Sequence, residues 1–303
     1  MDNSGTKKEG VAYTYKGHDG YAPIAAYLGQ EGWSLGCDLR IGSQHSQKEF
    51  LPFLGQVIQR ARRITRKPLL LRLDSGHDAE DSRREVACHK NVDHIIKLNP
   101  RSTYTTEWWL PRFEEANVTW HSIRDGKDYA TLSVAHDTDY GQQRLVLRII
   151  RRTSDAVGQM ILSGPDYELE GWWTTLEEEH YSEDDIIALY KDHATSEQFH
   201  SEFKTDLDLE RLPSGKFATN ALVMSLAALT YNILRCMGQK ALLGPDSPVR
   251  HTAKRRRLKT VMQELIYQAA RLVKSGRQYT LRFSRHSPGF RAYRHLLSEY
   301  ALC

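Results

Sequence analysis

Between Trp33 and Ile41 apolar and polar positions alternate, with Trp33, Leu35, Cys37, Leu39 and Ile41 at every second place. A period of two puts all five on one side of an extended chain, so the pattern predicts a half-buried strand. Another extended stretch is predicted over 13–27, and Gly42-Ser43-Gln44 supplies a turn. The period then lengthens. Phe50, Phe53 or Leu54, Val57, Ile58 and Ala61 recur at steps of three and four, predicting a helix over about 46–63. The run Leu69-Leu70-Leu71-Arg72-Leu73, bounded by Pro68 and Asp74, predicts a short buried strand. A helix near 82–89 and a strand near 92–98 follow.

From 100 to 171 the texture is aromatic and β-branched. Turn signals fall at Asn117, Asp125-Gly126, Tyr140-Gly141 and Ser163-Gly164-Pro165, with strands predicted over 130–134 and 145–150. This region reads as a β-rich insertion. Strands followed by helix, strand, helix and strand predict an α/β architecture. The longest uncharged stretch, 217–234, is long enough to invite a membrane reading. Its Thr219, Asn220, Ser225, Thr230 and Asn232 favour a buried core helix, so no membrane partner is expected.

Two places carry candidate chemistry. Asp74 closes the apolar 69–73 run, and the C-terminal end of a buried strand is where open α/β sheets place ligand chemistry. The plainer role for Asp74 is to hold the amides of its own turn, while Asp78 is placed to cap the next helix with Asp81 three residues on. After a helix start at Ser182-Glu183-Asp184-Asp185, Tyr190, His193, Glu197 and Lys204 are spaced by three, four and seven. On one continuous helix those steps stack a phenol, a carboxylate and basic groups along a stripe that can meet a phosphate. The same spacing also fits a solvated helix face.

Tyr-x2-His-x3-Glu-x6-Lys resembles the Tyr-x2-Arg-x3-Glu-x6-Lys signature of bacterial insertion-sequence transposases of the DDE type, departing from it at His193. Arg72-Leu73-Asp74-Ser75-Gly76 resembles the second-aspartate motif of the same family. Lys7-Lys8-Glu9-Gly10-Val11 with Tyr15 to Pro23 is similar to the segment after the first aspartate, and Arg255 to Val261 with Leu265-Ile266 to the basic C-terminal helix. The resemblance spans nearly the whole chain. It implies a ribonuclease-H-like core with a β-rich insertion and a helical C-terminal region. It divides the chain at 1–99, 100–180, 181–240 and 241–303: first part of the core, insertion, helices with the third acid, and basic tail.

The resemblance implies catalytic and metal-binding roles for Asp74 and Glu197, with Mg²⁺ as the ion and Mn²⁺ as a substitute. It also places a first aspartate on a core strand upstream of Lys7. Only Asp2 is available there, so an N-terminally shortened transposase of little activity is expected, with Asp2 as a weak stand-in. His193 lacks the planar fork of the arginine it replaces. The implied reaction is strand cleavage and transfer at element ends. The alternative is a non-enzymatic DNA-binding remnant that inhibits transposition.

Charge is unevenly spread. From Ser154 to Glu210, sixteen acids face only Lys191 and Lys204, whereas from Arg250 to Cys303 thirteen Lys or Arg face Glu264 and Glu299. A basic tail attracts phosphate backbone, so Lys254, Arg255, Arg256 and Arg257 are predicted to open a DNA-facing helix continuing through Val261 and Leu265. Tyr190, His193 and Lys204 join them as candidate DNA contacts, and Trp172 or Trp173 as a platform for an unpaired base. Double-stranded DNA, at element ends and target, is the expected partner, and a homo-oligomer is compatible with it. Four scattered cysteines argue against a disulfide framework or zinc ribbon, and no His-Glu-x-x-His motif supports a zincin. No apolar leader segment follows Met1. A cytoplasmic, nucleoid-associated bacterial protein is expected.

Overall fold

The computed structural model describes residues 1–101, 104–155, 157–192 and 195–300. The chain forms two compact units. The first combines Met1–Gln44 with the chain after 193, and the second is the segment between.

The first unit opens with two small antiparallel pairs, β1 (Ala12–Tyr13) with β2 (Asp19–Gly20) and β3 (Ile24–Leu28) with β4 (Trp33–Asp38). The alternation over 33–41 is thus realised over Trp33–Asp38, while the stretch over 13–27 is broken into three short strands. The β3–β4 connection needs glycine at Gly32, whose φ is +75° and whose added Cβ would lie 2.4 Å from the Phe199 ring.

The second unit begins with helix α1 (Phe50–Ile64), which buries the apolar stripe read from the sequence. Then come β5 (Leu69–Leu73), helix α2 (Glu80–Ala87) and β6 (Val92–Lys97), with β5 and β6 parallel and Leu69 opposite Val92. Helix α3 (Thr106–Glu115) follows, its first turn capped by the Thr105 hydroxyl, which accepts from the Trp108 amide at 3.3 Å. Strands β7 (His121–Arg124), β8 (Lys127–Thr138), β9 (Gly141–Arg152) and β10 (Asp166–Thr174) complete one six-stranded sheet of order β5-β6-β10-β9-β8-β7. The β-rich region is therefore continuous with the sheet of β5 and β6, because Trp172, Trp173 and Thr174 of β10 pair with Lys97, Ile96 and Ile95 of β6.

Side chains alternate across that sheet. Leu145, Leu147, Ile149 and Trp173 pack with Trp109 and Phe113 of α3 on one face. Val146 and Trp172 pack on the other with Ile186 and Ile187 of helix α4 (Glu183–Lys191). A capping box between Ser182 and Asp185 starts α4. The fold is mixed α/β, compatible with a ribonuclease-H-like core.

The first unit resumes with helix α5 (Thr195–Ser201), which runs into a wide π turn at Glu202–Asp206. Helix α6 (Phe217–Ala241) follows, then helix α7 (Leu258–Val261) with a second π turn at Met262–Ile266. An antiparallel hairpin, β11 (Ala270–Ser275) and β12 (Gln278–Phe283), and helix α8 (Phe290–Tyr300) complete the described chain. The C-terminal region is thus helical with one hairpin that the sequence reading lacks. Helix α6 is long and apolar enough to cross a membrane. It enters the core by one side only: Asn220, Met224, Tyr231, Leu234 and Arg235 are buried, while Leu222, Leu226, Leu229 and Ile233 are exposed. Gly238 lets α7 approach closely, since an added Cβ would lie 2.7 Å from a Val261 methyl.

Candidate active site

Strand β5 ends at Asp74, which heads a short 3₁₀ turn over Ser75–His77 and accepts a hydrogen bond from the Gly76 amide at 3.1 Å. The turn is fixed from outside as well. The Gly76 carbonyl accepts from the Ser46 hydroxyl at 2.6 Å and the Gln47 side-chain amide at 2.8 Å, and the His77 ring stacks on Phe50 with centroids 4.0 Å apart. The Asp74 side chain nevertheless remains 68% exposed. A carboxylate pinned at one oxygen on a rigid turn and open to solvent has the position and access that ligand binding requires. Asp78 does not cap α2, as its position predicts: it is buried, pairs with Arg83 at 2.7 Å and accepts from the Asn99 amide at 2.9 Å.

Arg72, two residues before Asp74, donates to the Leu189 carbonyl at 2.8 Å and so ties β5 to the last turn of α4. That bond brings the neighbouring Tyr190 into the same region, packed against Trp172 with centroids 6.1 Å apart. Burial, with the Asp74 and Glu170 carboxylates bearing on it, pushes the Tyr190 phenol up to about 12. It is therefore a protonated donor at neutral pH. The sequence assigned Arg72 no role of its own, although it opens the Arg72-Leu73-Asp74-Ser75-Gly76 motif and is a lone cation inside an apolar strand.

The single helical stripe is corrected. Helix α4 ends at Lys191, with Asp192 as its C-cap, and Glu197 belongs to the separate helix α5. Lys204 lies in the π turn, which advances differently from an α-helix. Steps of three, four and seven therefore do not superpose these side chains. Tyr190 falls in the second unit and Glu197 and Lys204 in the first, while His193 lies outside the described residues.

Glu197 is exposed on α5, and the helix is anchored just beyond it. Phe199 is buried against Tyr27 at 5.1 Å, and the Arg255 guanidinium lies 4.7 Å from its ring centroid. Arg255 also donates to the Gln198 side chain at 2.9 Å. The deepest anchor is Glu202, only 1% exposed, whose carboxylate pairs with Arg235 at 2.5 Å and with Arg255. Arg235 in turn donates to the Arg256 carbonyl at 2.6 Å and the Tyr231 hydroxyl at 2.9 Å. Two guanidiniums around one buried carboxylate more than offset its charge and hold α5 to α6.

These contacts correct the reading of Lys254–Arg257 as the start of a DNA-facing helix. The four residues precede α7, with Arg257 as its N-cap. Arg255 is taken up by Glu202. Arg256 is buried and donates to the carbonyls of Leu242, Val249 and His251. Arg257 makes a fork to Asp206 and is half exposed, and Lys254 reaches Gln30 from an exposed position. Asp2 sits beside Glu210, which accepts from its backbone amide at 2.8 Å and lies 3.6 Å from Lys204. The Asp2 carboxylate accepts from Ser4, which holds it below its usual range. Trp172 and Trp173 are buried, so neither presents a face to an unpaired base.

Among the described residues no three His, Cys, Asp or Glu side chains converge as a metal centre. The two exposed carboxylates, Asp74 and Glu197, are hard oxygen donors of the kind a divalent cation prefers, so their chemistry fits such an ion. A family model described as transposase DDE domain, group 1, matches residues 2–302. No curated protein matches the chain.

Proposed function

The chain belongs to the transposase DDE domain group 1 family, and from that premise we propose that it cuts a DNA strand at an insertion-sequence end and joins the freed 3′-hydroxyl to target DNA. The observation that carries the proposal is Asp74: a solvent-open carboxylate at a strand end, fixed by the Gly76 amide and flanked by the protonated phenol of Tyr190. DDE transposase domains use divalent metals. The family resemblance assigns metal-binding roles to Asp74 and, separately, to Glu197, for Mg²⁺ or Mn²⁺, whose contribution when bound is to neutralise charge on the reacting phosphodiester.

The protein's own groups do the positioning. Arg72 keeps Tyr190 beside the Asp74 turn, where the phenol can donate to a phosphate oxygen. Glu202 and Arg255 keep α5 seated, and with it Glu197. Lys204, Lys254 and the half-exposed Arg257 retain solvent access for backbone phosphates.

Incubating purified protein with element-end duplex and Mg²⁺ or Mn²⁺ tests the proposal. Weak specific nicking is expected, and Asp74→Asn or Glu197→Gln should remove it while duplex binding persists, since neither change touches a cationic residue. Normal cleavage by both variants would refute the site assignment. Tight, specific binding by the parent with no cleavage under either metal would instead favour the non-enzymatic reading.

A further inference from the structure

With Arg255 and Arg256 engaged internally and Arg257 paired with Asp206, the positive charge of the C-terminal region has its freest expression elsewhere. From 265 to 298 there is no Asp or Glu, while Arg271, Lys274, Arg277, Arg282, Arg285, Arg291 and Arg294 are all present and all exposed. Four of the seven lie on the β11–β12 hairpin, which turns through Gly276 and Arg277, with Gly276 at φ +59°. Arg271 and Arg282 are direct register partners across the two strands. Like charges placed opposite each other destabilise a strand pair, so this pairing makes sense where an anion offsets the repulsion.

The hairpin is also anchored. At its base Phe283 packs on Tyr293 with centroids 5.0 Å apart, and Tyr293 packs against the core of the first unit. Beyond that base nearly every position of both strands is exposed. Arg291 and Arg294, three apart on α8, share one helix face and extend the cationic surface. A two-stranded ribbon fits the major groove of duplex DNA, and a surface with seven cations and no acid complements its two phosphate rows.

We propose that the β11–β12 hairpin, continued by the Arg291 and Arg294 face of α8, is a docking ribbon for duplex DNA. The inference rests on the DNA-processing reading above and deepens it by assigning the surface that grips the duplex. Its contacts are to phosphate, so it contributes affinity across sequences and positions the DNA without selecting it.

The test is equilibrium binding of a random-sequence duplex over a salt series, for the parent and for the variant carrying Arg271→Gln, Arg277→Gln and Arg282→Gln. The variant is expected to bind at least roughly tenfold more weakly at low salt, with the slope of log K against log salt reduced by about 0.9 per lost contact. The corresponding Lys variant should keep most of the affinity. Arg277→Gln alone lies at the tip, outside both strands, and reads the same effect at one contact should the triple variant misfold. Parent-like affinity and slope in a folded triple variant would overturn the docking ribbon and leave the cleavage proposal standing. Failure of the parent to bind duplex at any salt would overturn both. Loss of self-association, or of binding to anionic phosphatidylserine vesicles, with duplex affinity unchanged would also overturn it, assigning the hairpin to a second copy or a lipid surface.

Discussion

Glu202 shows how a single side chain can matter without any local signal. Its partners Arg235 and Arg255 lie 33 and 53 residues away, so nothing in the spacing around it distinguishes it from the other acids of the 154–210 stretch. Glu197 was legible because a motif marks it. Glu202, which seats the same helix, became visible only once α6 and the chain before α7 were in place. Glu202→Ala leaves the Arg235 guanidinium buried without its counter-charge and should destabilise the first unit by about 3–5 kcal/mol, measured by denaturant unfolding. Little change in midpoint would mean that water or another acceptor takes over. Arg255 and Arg256 were read as surface cations for the same reason: a run of cations in sequence does not say which of them will meet a buried acid or a row of carbonyls.

Among the elements, β5 was readable because an apolar run between a proline and an aspartate admits few alternatives, and it spans Leu69–Leu73 as predicted, though half-buried at the sheet edge rather than buried. Helix α3 was missed because Trp108, Trp109 and Phe113 carry strand preference, and Pro111 sits inside the helix. Its burial against the sheet through Trp109 and Phe113 overrides that preference. The stripe from Tyr190 to Lys204 was misjudged because regular spacing was taken to imply one continuous helix. What actually places Tyr190 is the clasp between two elements, Arg72 of β5 on the end of α4. Arg72→Met removes a charged hydrogen bond worth about 1.5–3 kcal/mol. It should let the Tyr190 phenol titrate nearer its ordinary range instead of near 12, which a phenolate absorbance titration of parent and variant would reveal. An unchanged titration would show that packing on Trp172 alone sets that environment.

For the whole molecule, the two units carry separate cores and separate reporters. Trp33 belongs to the first unit, while Trp108, Trp109, Trp120, Trp172 and Trp173 belong to the second, so tryptophan fluorescence follows mainly the second. That unit also buries His94, whose imidazole is held down to about 4, first by burial and then by the Arg83 charge. Because the folded ring resists protonation, its contribution is intact above pH 6.5 and is lost as pH falls toward 4. The unfolded chain takes up the proton over that window, at a cost of roughly 3 kcal/mol. The fluorescence-detected midpoint should therefore drop between pH 7 and pH 5, and His94→Gln should flatten that dependence; a variant as acid-sensitive as the parent would exonerate His94. The division of the chain has a further consequence, for biosynthesis. The second unit is one unbroken stretch, whereas the first is interrupted by it: Tyr21 and Leu39 belong to the same core as Leu234 and Leu258. At ribosomal speeds of roughly 5–20 residues per second, the N-terminal strands must wait on the order of ten seconds for the helices that cover them. During that interval the second unit can already have closed, so residues 1–44 reach their final packing after a unit that is made later.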